Sequence, residues 1–236
     1  MPKPSFRFKQ FTIQQDRCAL KVGTDGVLFG AWVNYDGANR VLDIGTGTGV
    51  LALIAAQRNP SAYIDAVEID DAAAEQAAEN AAASPWSDRV RVHRMDVRRM
   101  QASEPFDLII CNPPYYAGYS AAADDRVGLA KHSDELQFDE LMDAVDRLLS
   151  LSGRLAVIIP LNREKAFLKE TERVSIHPIR RCVVKYVAYR PAKRVLLELD
   201  RTGGAVREEE LTIERTGPFD YSTEYRSLIS DLMLNF

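Results

Sequence analysis

Arg40-Val-Leu-Asp-Ile-Gly-Thr-Gly-Thr-Gly49 decides the fold. Its first five residues form a short, mostly apolar run with the character of a buried strand, and the glycines after it mark a tight turn. The apolar stretch Val50–Ala56 that follows reads as a helix. Strand, glycine turn and helix in that order open a parallel α/β unit. In such a sheet, ligands bind beyond the carboxyl ends of the strands. Glycines there let a ligand approach the backbone closely.

Outward from this stretch the alternation repeats. Strands are predicted at Tyr63–Ile69, Val90–Arg94, Phe106–Cys111 and Arg154–Ile159. Residues 72–83 hold eight alanines with Glu75, Gln76, Glu79 and Asn80, a strong helix former to which no functional weight attaches. Phe138, Leu141, Met142, Val145, Leu148 and Leu149 have the spacing of an amphipathic helix, and Leu161–Arg173 reads as a charged surface helix. Val174–Val187 and Lys193–Leu199 are two strands with no helix between them, hence an antiparallel hairpin. The expected fold is α/β, a doubly wound, mostly parallel seven-stranded sheet with that hairpin at its end. A single domain is expected over 1–236. Residues 1–39 form a basic extension over the ligand site, 40–200 the core and 201–236 a C-terminal extension. Residues 116–135 carry little periodicity and read as a loop over the site.

Composition narrows the class. The chain has 236 residues, 46% hydrophobic and 27% charged, which excludes disorder for most of it. The longest apolar runs are too short to span a bilayer, and Met1-Pro-Lys-Pro-Ser-Phe-Arg7 has no signal-peptide core. Cys18, Cys111 and Cys182 lie far apart and are odd in number, so neither a disulfide framework nor a metal site is expected. A cytoplasmic protein without membrane attachment, metal or obligate protein partner is the expectation. Net charge is −4, yet two basic islands stand out. Residues 1–24 carry Lys3, Arg7, Lys9, Arg17 and Lys21 against Asp16 alone. Residues 177–197 carry Arg180, Arg181, Lys185, Arg190, Lys193 and Arg194 with no acid. Such islands form either a patch for a polyanion or solvated strand faces.

The glycine turn carries chemistry. A dinucleotide site shows G-x-G-x-x-G facing a pyrophosphate. Here the spacing is Gly45-x-Gly47-x-Gly49, and Asp43 precedes it. That acid would repel a pyrophosphate but suits the ammonium of S-adenosylmethionine. Glu68 ends the next strand, 25 residues after Asp43, placed to accept from both ribose hydroxyls. The set resembles the class I S-adenosylmethionine-dependent methyltransferases. By that resemblance, Asp96, with Val97 beside it, takes the position that contacts the adenine. S-adenosyl-L-homocysteine is the product implied.

Asp107-Leu-Ile-Ile-Cys-Asn-Pro-Pro-Tyr115 is the most informative stretch for the reaction. Two prolines fix a rigid turn directly after a strand. An exocyclic amine on a purine is a poor nucleophile, because its lone pair is delocalised into the ring. It needs acceptors for its hydrogens rather than a strong base. Asn112 (side-chain oxygen) and Pro113 (carbonyl) supply two acceptors, Pro114 stiffens the turn, and Tyr115 stacks on the base. This motif resembles that of amino-methyltransferases acting on adenine N6, guanine N2 or glutamine amides, and it does not choose among them.

Lys21-Val-Gly-Thr-Asp-Gly-Val-Leu-Phe-Gly-Ala-Trp32 predicts a helix capped by Thr24 or Asp25. With Asn112-Pro-Pro-Tyr115 and Ala130-Lys131-His132, preceded by Arg126, it makes the chain similar to the bacterial valine-tRNA adenine-37 N6-methyltransferase family over about residues 5–235. That resemblance implies a tRNA substrate and a Lys21, Thr24 and Asp25 segment closing over the cofactor. Arg7, Lys9, Arg126, Lys131, His132, Arg180, Arg181, Lys193 and Arg194 are then the expected RNA contacts. Phe6, Phe8 and Phe11 read as packing residues. A ribosomal-RNA amino-methyltransferase, a release-factor glutamine methyltransferase and a silent cofactor- or RNA-binding protein remain alternatives.

Overall fold

In the computed structural model of the chain, which describes residues 4–113 and 136–234, Arg40–Ile44 lies inside an eight-stranded sheet. A short hairpin, β1 (Ser5–Arg7) and β2 (Thr12–Gln14), comes first, then helix α1 (Thr24–Trp32). β3 (Arg40–Ile44), α2 (Val50–Arg58), β4 (Tyr63–Glu68), α3 (Asp71–Ala82) and β5 (Val90–Arg94) form the first half of the sheet. β6 (Phe106–Cys111), α4 (Phe138–Leu148), β7 (Leu149–Pro160), α5 (Glu164–Arg173), β8 (His177–Val187), β9 (Arg194–Asp200), β10 (Arg207–Glu214) and α6 (Thr223–Ile229) complete the chain. The strand order is β10-β8-β9-β7-β6-β3-β4-β5.

The sheet is mostly parallel, with β9 running against both neighbours. The expected terminal hairpin is β8–β9. The eighth strand, β10, joins the edge parallel to β8, from a segment read as an extension beyond the core. Its Arg-Glu-Glu-Glu start lacks an apolar alternation, so no local pattern announces it.

Both faces of the sheet are covered, as its sequence pattern requires. Leu108, Ile110, Ala156 and Ile158 pack with α1 and α2, while Ile109, Val157, Ile159 and Leu197 pack with α4 and α5. The aromatic residues of the N-terminal hairpin pack as expected: Phe8 and Phe11 are buried and stacked 4.3 Å apart, with Trp86 against Phe11.

Candidate active site

Beyond the carboxyl ends of β3, β4 and β6 lies a cleft of about 300 Å³. Ile44, Gly45, Gly47, Val67, Glu68, Asp96, Val97, Cys111, Asn112 and Pro113 line it. The stretches that carry Gly45, Glu68 and Asn112 lie far apart along the chain and meet because β3 pairs with both β4 and β6.

The glycine turn is built on positive φ. Gly45 and Gly47 have φ of 70° and 56°, and a Cβ on either would protrude into open space. Side chains there would strain the turn and fill the cleft. Gly49 serves differently. It starts α2 and packs against Ala77 of α3, away from the cleft.

Asp43 lies beneath this turn, fully buried and outside the cleft wall. Its Oδ2 accepts from the Thr46 hydroxyl (2.5 Å) and the Ala52 amide (3.1 Å), tying β3 to the turn and to α2. No donor among the described residues reaches Oδ1. Burial pushes its pKa up from 3.8 to about 7, against the two hydrogen bonds, which lower it. The folded chain therefore binds a proton between those pH values that the unfolded chain does not. Stability from this group is highest at low pH and falls as pH rises to about 7. Asp43→Asn keeps an acceptor for Thr46 and Ala52. Thermal unfolding without cofactor is expected to show a variant close to wild type at about pH 4 and more stable at about pH 8. An equal shift at both pH values would contradict this.

Glu68 reaches across from β4. Oε2 accepts from the Gly47 amide (2.8 Å), and Oε1 from the Ile69 and Asp70 amides (2.9 and 3.0 Å). It therefore holds the glycine turn as well as facing the cleft. Asp96 starts the 3-10 turn Val97–Arg99, and the Arg98 guanidinium grips both its oxygens at 2.8–2.9 Å. Those bonds hold its carboxyl below the usual range, so it is an ionised acceptor at neutral pH. Arg98, which the sequence reading passed over, also bonds Glu140 at 2.9 Å and lines the cleft.

The N-terminal wall differs from expectation. Cys18, Ala19 and Leu20 form it; Lys21, Thr24 and Asp25 do not. Lys21 folds back, its ammonium donating to the Cys18 (2.7 Å) and Gln15 carbonyls. Gly23 starts α1, and neither Thr24 nor Asp25 caps it through a side chain. Asp25 is turned away, accepting from Arg194 Nε (2.9 Å) and the Tyr186 hydroxyl.

What seats that wall is a pair of amides in the alanine-rich helix. Gln76 and Asn80, one turn apart on α3, are 1% and 2% exposed. Gln76 accepts from the Arg17 and Cys18 amides and donates to Asp16. Asn80 accepts from the Gln14 amide and donates to the Gln14 and Thr48 carbonyls. These bonds clasp residues 14–18 to α3 and to the glycine turn. A buried amide left without such partners costs about 1–3 kcal/mol. The signal was present: helical spacing puts both amides on the face of Ala73, Ala77 and Ala81.

The second basic island does not stand without acids in the folded chain. Parallel pairing lays Glu208, Glu209 and Glu210 of β10 beside β8. Arg180 is bidentate to Glu209 (3.0 Å each) and stacks on Trp32, its guanidinium 4.0 Å from the ring centre. Arg181 pairs with Glu164 and Glu208, Lys185 with Glu210, and Arg194 with Asp25. Arg180, Arg181 and Arg194 are thus each paired with carboxylates of the chain itself. Lys193 and Arg7 are exposed, and Lys9 is exposed with its ammonium 2.5 Å from the Ser230 carbonyl. Pro114, Tyr115, Arg126, Lys131 and His132 lie outside the described residues. Cys18, Cys111 and Cys182 are buried free thiols, and burial raises the pKa of each.

Residues 26–161 match the family model of the methyltransferase small domain. The chain is 43% identical over 235 residues to the tRNA1(Val) (adenine(37)-N6)-methyltransferase of Trichodesmium erythraeum, covering 98% of both chains. It is 40% identical over 237 residues to the protein of the same name from Bacteroides thetaiotaomicron, covering 100% of this chain and 99% of that one. A solved structure described as a predicted O-methyltransferase from Agrobacterium tumefaciens superposes with a TM-score of 0.68 at 20% identity, over 88% of this chain and 96% of that one. At that identity the likeness is one of fold.

Proposed function

Since the chain belongs to the methyltransferase small domain family, and to its tRNA1(Val) adenine-37 N6 branch, we infer that it methylates N6 of adenine 37 in a valine tRNA, using S-adenosylmethionine. The observation that carries this reading is the meeting of Asn112 and Pro113 with Glu68 and Asp96 around one cleft. The cytoplasm, where tRNA is modified, is the compartment this reading implies.

The residues fit the cofactor. Asp43 Oδ1 is a buried acceptor to which none of the described residues donates, its carboxyl lying directly beneath the turn that would hold the ammonium of the methionine part. Gly45 and Gly47 leave room that any Cβ would take. Glu68 has about four acceptor positions and gives three to backbone amides. Accepting from both ribose hydroxyls therefore requires one backbone amide to yield. Asp96 and Val97 line the same cleft and would meet the adenine, the carboxylate held ionised by Arg98.

S-adenosylmethionine supplies, when bound, a methyl group on a cationic sulfur that needs no metal or covalent relay. The chain positions the nucleophile. Asn112 accepts one hydrogen of the target amine through its side-chain oxygen, and the Pro113 carbonyl accepts the other. The lone pair is thereby held out of the ring and toward the methyl carbon. As the N–C bond forms and the C–S bond breaks, the nitrogen becomes acidic and loses its proton to solvent. A base in an RNA loop is already unpaired, so presenting it costs little.

The test is parallel incubation of the protein and labelled S-adenosylmethionine with unmodified bacterial tRNA, DNA and a release factor. N6-methyladenosine in tRNA alone is expected. Label in the release factor would replace adenine with a glutamine amide as the substrate.

A further inference from the structure

Arg180, Arg181 and Arg194 are paired with carboxylates, and exposed cations in no ion pair among the described residues stand elsewhere on the same end of the sheet. β8 and β10 run parallel to β6, so their carboxyl ends share the rim that holds Asn112. Two turns leave this rim and converge on Glu214. In the β8–β9 turn, the Ala188 amide donates to the Glu214 carbonyl (2.9 Å), and in the turn after β10 the Phe219 amide donates to the Glu214 carboxylate (2.9 Å).

Each turn displays an aromatic ring to solvent. Tyr189 is 67% and Phe219 76% exposed. Phe219 has φ of 68°, a left-handed conformation that a bulky side chain rarely adopts. The turn is pinned there by Asp220, which accepts from Arg215 and from the Thr216 hydroxyl at 2.6 Å. Strain kept in a well-pinned exposed turn points to a use for the side chain. Beside Tyr189, the Arg190 guanidinium lies 5.7 Å from the ring centre. Arg190 and Lys193 are exposed, and among the described residues no carboxylate forms an ion pair with either. The β8–β9 turn is also braced: Arg190 N–H donates to the Val187 carbonyl, Lys193 N–H to Val184, and Asp25 holds both flanks through Tyr186 and Arg194.

We propose that this rim binds the tRNA beside the target nucleotide, Tyr189 and Phe219 stacking on unpaired bases while Arg190 and Lys193 contact phosphates. The proposal rests on the tRNA reading above. Three strand spacings separate β6 from β8, about 14 Å, a reach of a few nucleotides along a loop. Aromatic rings paired with cations are the usual platform for single-stranded nucleic acid, and a braced turn loses little freedom on binding.

The test is steady-state methylation of an unmodified valine tRNA transcript by wild type, Tyr189→Ala, Phe219→Gly and the double variant Arg190→Ala with Lys193→Ala. Tyr189→Ala is expected to raise KM for tRNA about tenfold, with kcat and the S-adenosylmethionine Kd within about twofold. Tyr189→Trp should restore the KM. Phe219→Gly should also raise KM while melting no lower than wild type, since glycine takes the left-handed φ freely; a merely structural Phe219 would not part these two readouts. The double variant should flatten the dependence of binding on log salt by about two units. Unchanged KM and salt slope in variants of an enzyme that still methylates tRNA would overturn the proposal alone. A wild type inactive on tRNA would overturn it together with the tRNA reading. A changed association state with unchanged KM would make the rim a protein contact and overturn it as well.

Discussion

Asn112→Ala is expected to lower kcat by at least about a hundredfold while the Kd for S-adenosylmethionine changes only a few-fold. The residue directly follows β6 at the mouth of the cleft, and the proline after it fixes the backbone direction there. In the proposed mechanism its amide oxygen accepts a hydrogen bond from the target amine, so its loss is felt in the reaction more than in cofactor binding. Asn112→Asp keeps an acceptor oxygen but adds a charge and removes the amide donor. It should fall between wild type and the alanine variant. Single-turnover methylation at saturating cofactor and tRNA separates these effects from binding. Lost cofactor affinity with a normal rate in the bound complex would remove Asn112 from the role assigned.

Glu68→Ala is expected to raise the Kd for S-adenosylmethionine about a hundredfold and leave kcat at saturating cofactor within a few-fold. Two losses combine. The ribose hydroxyls lose a charged acceptor, worth about 1.5–3 kcal/mol for such a bond. The Gly47, Ile69 and Asp70 amides lose the carboxylate that fixes the glycine turn. Glu68→Gln retains one acceptor and should lose less. Calorimetric titration of the free enzyme reads both values. An unchanged Kd would take Glu68 out of the cofactor site.

How much of this was legible depended on how local each feature is. β3, its glycine turn, Glu68 and Asn112-Pro113 were readable because each occupies a short window with a fixed place in an α/β unit. The parallel sheet that brings them together then follows from the strand–helix alternation. Non-local features were not readable. Residues 177–197 hold six cations and no acid, yet parallel pairing with β10 delivers three glutamates to β8. A charge count along the chain does not register pairing across strands. The same pairing adds the eighth strand. Asp25 was read as a helix cap from its neighbours in sequence, and it is instead held by Tyr186 and Arg194, over 160 residues away. Gln76 and Asn80 were hidden differently. Their alanine-rich helix explains itself by propensity alone, and only the helical phase of the two amides sets them on its buried face.

Nucleotide-resolved mass spectrometry of a methylated valine tRNA tests the central claim most directly. After ribonuclease digestion, the account predicts a single added methyl, on N6 of the adenine at position 37 beside the anticodon, and none on a transcript carrying guanine there. Methyl groups on another nucleotide, or equal incorporation into the guanine-37 transcript, would contradict it.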